Sequence, residues 1–156
     1  MRRWRSFADP GSVDGERGSA SLEFITAGLL LLLPIVYLIL AVSQIQAGSL
    51  AVEGASRQAA RVYVLSDDQP HAARNAERAI RFALADYGLD PESVSVQVTC
   101  RPHPDRCLER RGFVTVAVTT SVPLPLSPPV LLGAQPLHVD LSSSATQQVS
   151  RFWGSG

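Results

Sequence analysis

The chain has 156 residues, enough for one ordinary domain plus an appendage. Fourteen basic residues, all of them arginine, balance fourteen acidic ones, so no overall basic field argues for a nucleic-acid partner. Charged side chains make up only 18% of the chain, and none occurs from Phe24 to Val52, which excludes a soluble fold for the first third.

The first segment, residues 1–18, carries Arg2, Arg3, Arg5 and Arg17. Directly before the apolar run stands Glu16-Arg17-Gly18-Ser19-Ala20-Ser21-Leu22-Glu23-Phe24. A glycine followed by small residues predicts an extended, accessible peptide that a protease can bind. Glu23 then opens the hydrophobic run. A carboxylate there either rests at headgroup level, where it suits the positive end of the helix dipole, or is a functional intramembrane acid.

The run FITAGLLLLLPIVYLILAV, Phe24 to Val42, has nineteen residues, thirteen of them Leu, Ile, Val or Phe. As a helix it measures about 28 Å, close to the hydrocarbon thickness of a bilayer. Its apolar side chains contribute roughly −4 to −8 kcal/mol toward insertion. A secretory signal peptide released near Ser43 is the competing reading, although this run is long for one. The four arginines before the span, against first bases Arg57 and Arg61 after it, predict a cytoplasmic N-terminus and an external remainder. Pro34 removes the partner of the Leu30 carbonyl and predicts a bend that membrane helices tolerate.

The helical pattern continues past the span. Ala47, Ala51, Ala55 and Ala59 recur every four residues with Gly48 and Ala60 beside them. Such a ridge admits another helix at close range, or else reflects helix propensity alone. One continuous helix from about Ser19 to Leu65 would be some 70 Å long.

The spacing of Gly18 and Glu23-Phe24 resembles the class III signal of type IV pilin-like proteins of the tight-adherence (Flp) type. The stretch from Glu16 to Val64 resembles the TadE-like pseudopilins, which share an RG-small-small-x-EF start, a leucine-rich span with an internal proline and a downstream small-residue helix. The resemblance implies a leader, residues 1–18, cut after Gly18 by a prepilin peptidase, with Ser19 as the first mature residue. It implies that Glu23 meets the new α-amino group, its own or a neighbour's, during assembly, with Phe24 beside it. It further implies, as partners, other pilins or pseudopilins and the inner-membrane pilus assembly platform.

Ser66-Asp67-Asp68-Gln69-Pro70 predicts a break, with capping residues ahead of a proline at a first helical position. A second helix is predicted over His71–Tyr87, with Ala73, Ala76, Ile80, Ala83, Leu84 and Tyr87 as its apolar stripe. Gly88 and Pro91 close it. From Glu92 the period becomes two, and Val94, Val96 and Val98 predict a half-buried strand. Phe113–Val122 is its β-branched partner, with Val114, Val116 and Val118 on one face. Pro123–Pro136 is predicted as an ordered surface loop, and His138–Val149 as a third strand. The end, Phe152 to Gly156, is expected to fray or to form a small contact patch. The fold class is therefore α+β: a long N-terminal transmembrane and stalk helix of pilin-like character, then a second helix packed on a small antiparallel sheet. The expected organisation is 1–18 leader, 19–65 transmembrane and stalk helix, and 66–156 extracytoplasmic domain.

Cys100 and Cys107, in a domain expected outside the cell, predict a disulfide. A metal site that adds His103 is the alternative, but it leaves a ligand short, and His71 and His138 are remote in sequence. Arg101, Arg106, Arg110 and Arg111 form a solvated basic loop or a site for an anionic polymer. No nucleophile–base pair, phosphate loop or paired-acid site stands out, and Ser142 to Ser144 lack a nucleophile elbow. The expectation is a structural or assembly protein of the cytoplasmic membrane: single-pass, in contact with lipid, not an enzyme, and without cofactor, metal or nucleic acid. The runner-up is an uncleaved, signal-anchored external binding module whose hairpin loop makes the contact.

Overall fold

The computed structural model describes residues 16–125 and 137–154. Residues 1–15, most of the segment expected to be a leader, the proline-rich segment over 126–136 and the last two residues lie outside the described residues. Helix α1 runs from Glu16 to Val64, 49 residues with Pro34 inside it. Gly18 to Ser21 are therefore helical, not extended as their small side chains predict. Adding a residue to an existing helix gains one hydrogen bond for each residue fixed. Glu16, Arg17 and Ala20 are good helix formers, which outweighs the cost of Gly18.

Two compact units divide the chain, Met1–Ile39 and Leu40–Gly156. In the first, the apolar side chains from Leu22 onward are exposed: Phe24 is 79% and Leu30 69% accessible. Among the described residues, one helix, Ala20–Val64, is long and apolar enough to cross a membrane. The second unit takes in α1 from Leu40 onward, so this part of the helix belongs to a folded body and is not a bare stalk.

Within that unit, helix α2 spans Gln69–Ala85. Asp68, with extended backbone, caps it by accepting the His71 N–H at 2.7 Å, and Pro70 occupies the first turn. Gly88, at φ +68°, closes the end in the left-handed region, and the Leu89 N–H returns to the Leu84 carbonyl at 3.1 Å. The buried stripe is Ala72, Ala76, Ile80 and Leu84. This corrects the predicted stripe at two places: Ala73 and Tyr87 are exposed.

A short 3₁₀ turn at Pro91–Ser93 leads into strand β1, Val94–Arg101. Strands β2, Phe113–Pro123, and β3, His138–Gln148, complete an antiparallel sheet of order β1-β2-β3. Val96 faces Val118, and Val116 faces Ala145. The central strand carries the core, with Val114, Val116 and Val118 fully buried. At the edge, Val96 and Val98 remain 41% and 37% accessible, whereas the β2 valines they lie beside are fully covered. One buried cluster joins β2 to Ala51, Val52, Ala55, Ala59, Ala60 and Tyr63 of α1 and to the α2 stripe.

At Gly48, α1 approaches the sheet closely. A Cβ built there would stand 2.7 Å from Leu141 Cδ1 and 2.9 Å from Val122 Cγ2. Alanine gains about 1 kcal/mol of helix propensity but overpacks a site where such insertions cost roughly 1–3 kcal/mol. Gly48→Ala is expected to lower the denaturation midpoint slightly and Gly48→Leu to lower it strongly, as read by thermal melts of the detergent-solubilised chain. Equal midpoints for wild type and Gly48→Leu would show that α1 and the sheet are not in contact here.

Candidate functional site

The junction is built on the first turns of α1. Ser19 and Glu23 stand four positions apart along α1, about one helical turn. Glu23 and Phe24 are both exposed. The Thr26 hydroxyl donates to the Leu22 carbonyl at 2.8 Å, so this polar side chain is satisfied within the helix itself. An amino group at Ser19 would thus emerge one turn from Glu23.

The small residues of α1 have a partner within the chain. Ala51, Ala55 and Ala59 are buried in the cluster with β2, and Ala47 is half-buried. The ridge lets a sheet, rather than a second long helix, approach closely. Ser56, buried in the same face, donates to the Glu53 carbonyl at 3.0 Å and meets the Ser143 hydroxyl at 3.3 Å. Tyr63 ends this face, and burial raises its phenol above the ordinary range.

Cys100 and Cys107 are joined, with α-carbons 5.0 Å apart. The bond takes up both thiols and removes the metal alternative. His103, inside the loop, instead faces Glu109, with Nδ1 2.6 Å from Oε2. That hydrogen bond holds the Glu109 carboxyl below its usual range. The Asp68 carboxyl is lowered too, by the His71 backbone N–H first and the His71 ring second. Arg101, Arg106, Arg110 and Arg111 are exposed around the loop. Among the described residues, no cluster of three or more His, Cys, Asp or Glu could hold a metal. The eight-residue ring, both cysteines included, closes with a chain-entropy contribution of about 2.5 kcal/mol. Replacing both cysteines by serine is expected to lower stability by roughly that amount while the sheet persists, as measured by denaturant titration.

Of the two expectations for the chain end, Trp153 meets the contact patch, but sequence reasoning did not find the corner it docks on. The Trp153 indole N–H donates to the Ser66 carbonyl at 3.0 Å, and Arg110 Nε donates to the Trp153 carbonyl at 2.8 Å. Ser66 in turn donates to the Val62 carbonyl at 2.8 Å. The tail is a contact patch that ties the α1–α2 corner to the segment after the disulfide loop. A tryptophan between glycine-poor strands and a glycine-rich end was the available signal. Beside this corner a groove of about 760 Å³ runs between the end of α1 and α2, with Leu65, His71, Arg78 and Phe82 among its walls. It gathers no nucleophile with an adjacent base. No protein-family model, curated protein or solved structure matches the chain.

Proposed function

We propose that this chain is a TadE-like minor pseudopilin. A prepilin peptidase removes the leader after Gly18, and the mature protein serves as a subunit or assembly factor of a tight-adherence pilus. It sits in the cytoplasmic membrane, single-pass, with the arginine-rich N-terminus inside and the chain after Val42 outside. The observation that carries this reading is Gly18 and Glu23-Phe24 standing at the mouth of a helix long and apolar enough to cross a membrane.

The chemistry is one of charge matching. A carboxylate moved into the apolar layer needs a compensating cation. Cleavage supplies an ammonium at Ser19, one helical turn from Glu23 or on a neighbouring chain. Loss of the leader also removes polar mass that would obstruct side-by-side packing of spans. The test is N-terminal sequencing of the membrane-extracted protein from cells with and without the peptidase. A start at Ser19 only when the peptidase is present is the expected result; an intact Met1 in both rejects cleavage.

A second reading has one observation behind it. α1 already includes Gly18, and a helical peptide must unwind before a protease can bind it in extended form. That suits an uncleaved, signal-anchored module whose basic hairpin loop makes the external contact, and an intact Met1 supports it.

A further inference from the structure

Strand β3 ends the sheet: among the described residues no strand pairs with its outer side. The Leu124 N–H donates to the Leu137 carbonyl and the Val149 N–H to the Gly112 carbonyl, both at 2.8 Å. With the continuous register between them, these bonds put the odd-numbered residues of β3 in the closely bonded pairs with β2. The even-numbered residues, Ser142, Ser144 and Thr146 among them, therefore turn their N–H and C=O groups to the open edge. From Leu141 to Gln148 the strand holds neither a charge nor a proline to keep another strand away.

Helix α1 stands over this edge, where the Ser56 and Ser143 hydroxyls meet at 3.3 Å. Between them lies a groove of about 520 Å³, with Gly54, Arg57, Gln58 and Arg61 along one wall and Ser144 to Gln147 along the other. Spacings of three, four and seven put the helical residues on one flank of α1. A Cβ at Gly54 would meet nothing within 4 Å, so that end of the groove is open. Both arginines are exposed. Glu53 pairs with Arg57 from one turn back, whereas Arg61 makes no ion pair among the described residues.

We propose that this groove takes an extended segment of a partner protein, added to β3 as a fourth strand, with acidic side chains at alternate positions facing Arg57 and Arg61. The free backbone groups of Ser142, Ser144 and Thr146 supply the main-chain hydrogen bonds of such an addition. Every second side chain of the added strand then points to the α1 wall. Residues two apart in a strand are separated by roughly 6.6 Å, and Arg57 and Arg61 differ by about 6 Å along the helix axis. Acids at alternate positions therefore meet both guanidinium groups in one register. Two adjacent acids would send one carboxylate to the solvent face. This contact stands apart from the processing reading and requires only the folded unit from Leu40 onward.

The test is fluorescence anisotropy of labelled, end-capped peptides with the full chain in detergent. The probe Thr-Val-Thr-Glu-Thr-Glu-Thr is expected to bind about tenfold more tightly than Thr-Val-Thr-Thr-Glu-Glu-Thr, which has the same composition and charge. Arg61→Glu is expected to weaken the first peptide about tenfold or more, because like charges then face each other. Gly54→Leu fills the open end of the groove, and Ser144→Pro removes an outward N–H that the β2 ladder does not use. Each is expected to weaken the first peptide about tenfold. Melting midpoints check that the variants fold, and if Ser144→Pro melts early, Gly54→Leu decides. No binding of the first peptide overturns the proposal. So does equal affinity for the two peptides, or binding untouched by Gly54→Leu, since either leaves only a basic patch that attracts acids without order.

Discussion

A Gly18→Phe protein is expected to retain its leader in cells that carry the prepilin peptidase, with processing reduced about 100-fold or more. Gly18 presents bare backbone on the leader side of the proposed cleavage bond, and a phenyl ring there keeps the enzyme's groups from the carbonyl. Glu23 lies five positions beyond Gly18, so Glu23→Ala is expected to be cut at the normal rate and then to assemble poorly. The intact mass of membrane-extracted protein reads the first effect, and the yield of subunits in sheared surface filaments reads the second. Normal cutting of Gly18→Phe would remove the peptidase from the scheme. Wild-type filament yield for Glu23→Ala would remove the acid–ammonium pair while leaving cleavage in place.

Leu84→Ala carries the largest expected loss of stability. Leu84 is fully buried on the inner face of α2. Its truncation leaves a cavity worth roughly 2–5 kcal/mol, which lowers the melting midpoint by on the order of 10 °C for a unit of this size. Phe82, two residues away, is 67% exposed, and Phe82→Ala is expected to stay within about 0.5 kcal/mol of wild type. Thermal denaturation of the two variants in the same detergent separates them. Comparable losses in both would mean that α2 presents a different face to the sheet.

The phase of α2 shows where sequence reading runs out. Alanines occupy both 72 and 73, so hydrophobic pattern alone could not choose between neighbouring faces. The choice falls to Ile80 and Leu84, which with Ala72 and Ala76 form a stripe at intervals of four. The sheet was more legible, since valines alternating with serine, threonine and glutamine leave only one face to bury. Strand order was hidden: β2 is central and its valines are fully covered, whereas the identical alternation in β1 lies at an edge and stays partly open. The disulfide was legible from two cysteines in a short segment expected outside the cell. The ridge of Ala51, Ala55 and Ala59 was legible as a close-packing face, but small residues do not record whether the approaching surface is a helix or a sheet. The docking of Trp153 on Ser66 depends on a return of the chain across more than eighty positions, which no local pattern carries.

The burial of α1 residues between Ala51 and Val64 against β2 limits how the folded unit can be released. A cut at the Ser66 turn would separate the α1 part of the cover over Val114, Val116 and Val118, leaving only the α2 stripe on the sheet and a partly unsealed core prone to clump. A cut that frees an intact particle must fall upstream of Gly48, near or within the greasy stretch, where lipid would shelter the chain from soluble proteases. If the apolar stretch is the membrane anchor proposed above, release of the intact folded unit is thus disfavoured by architecture.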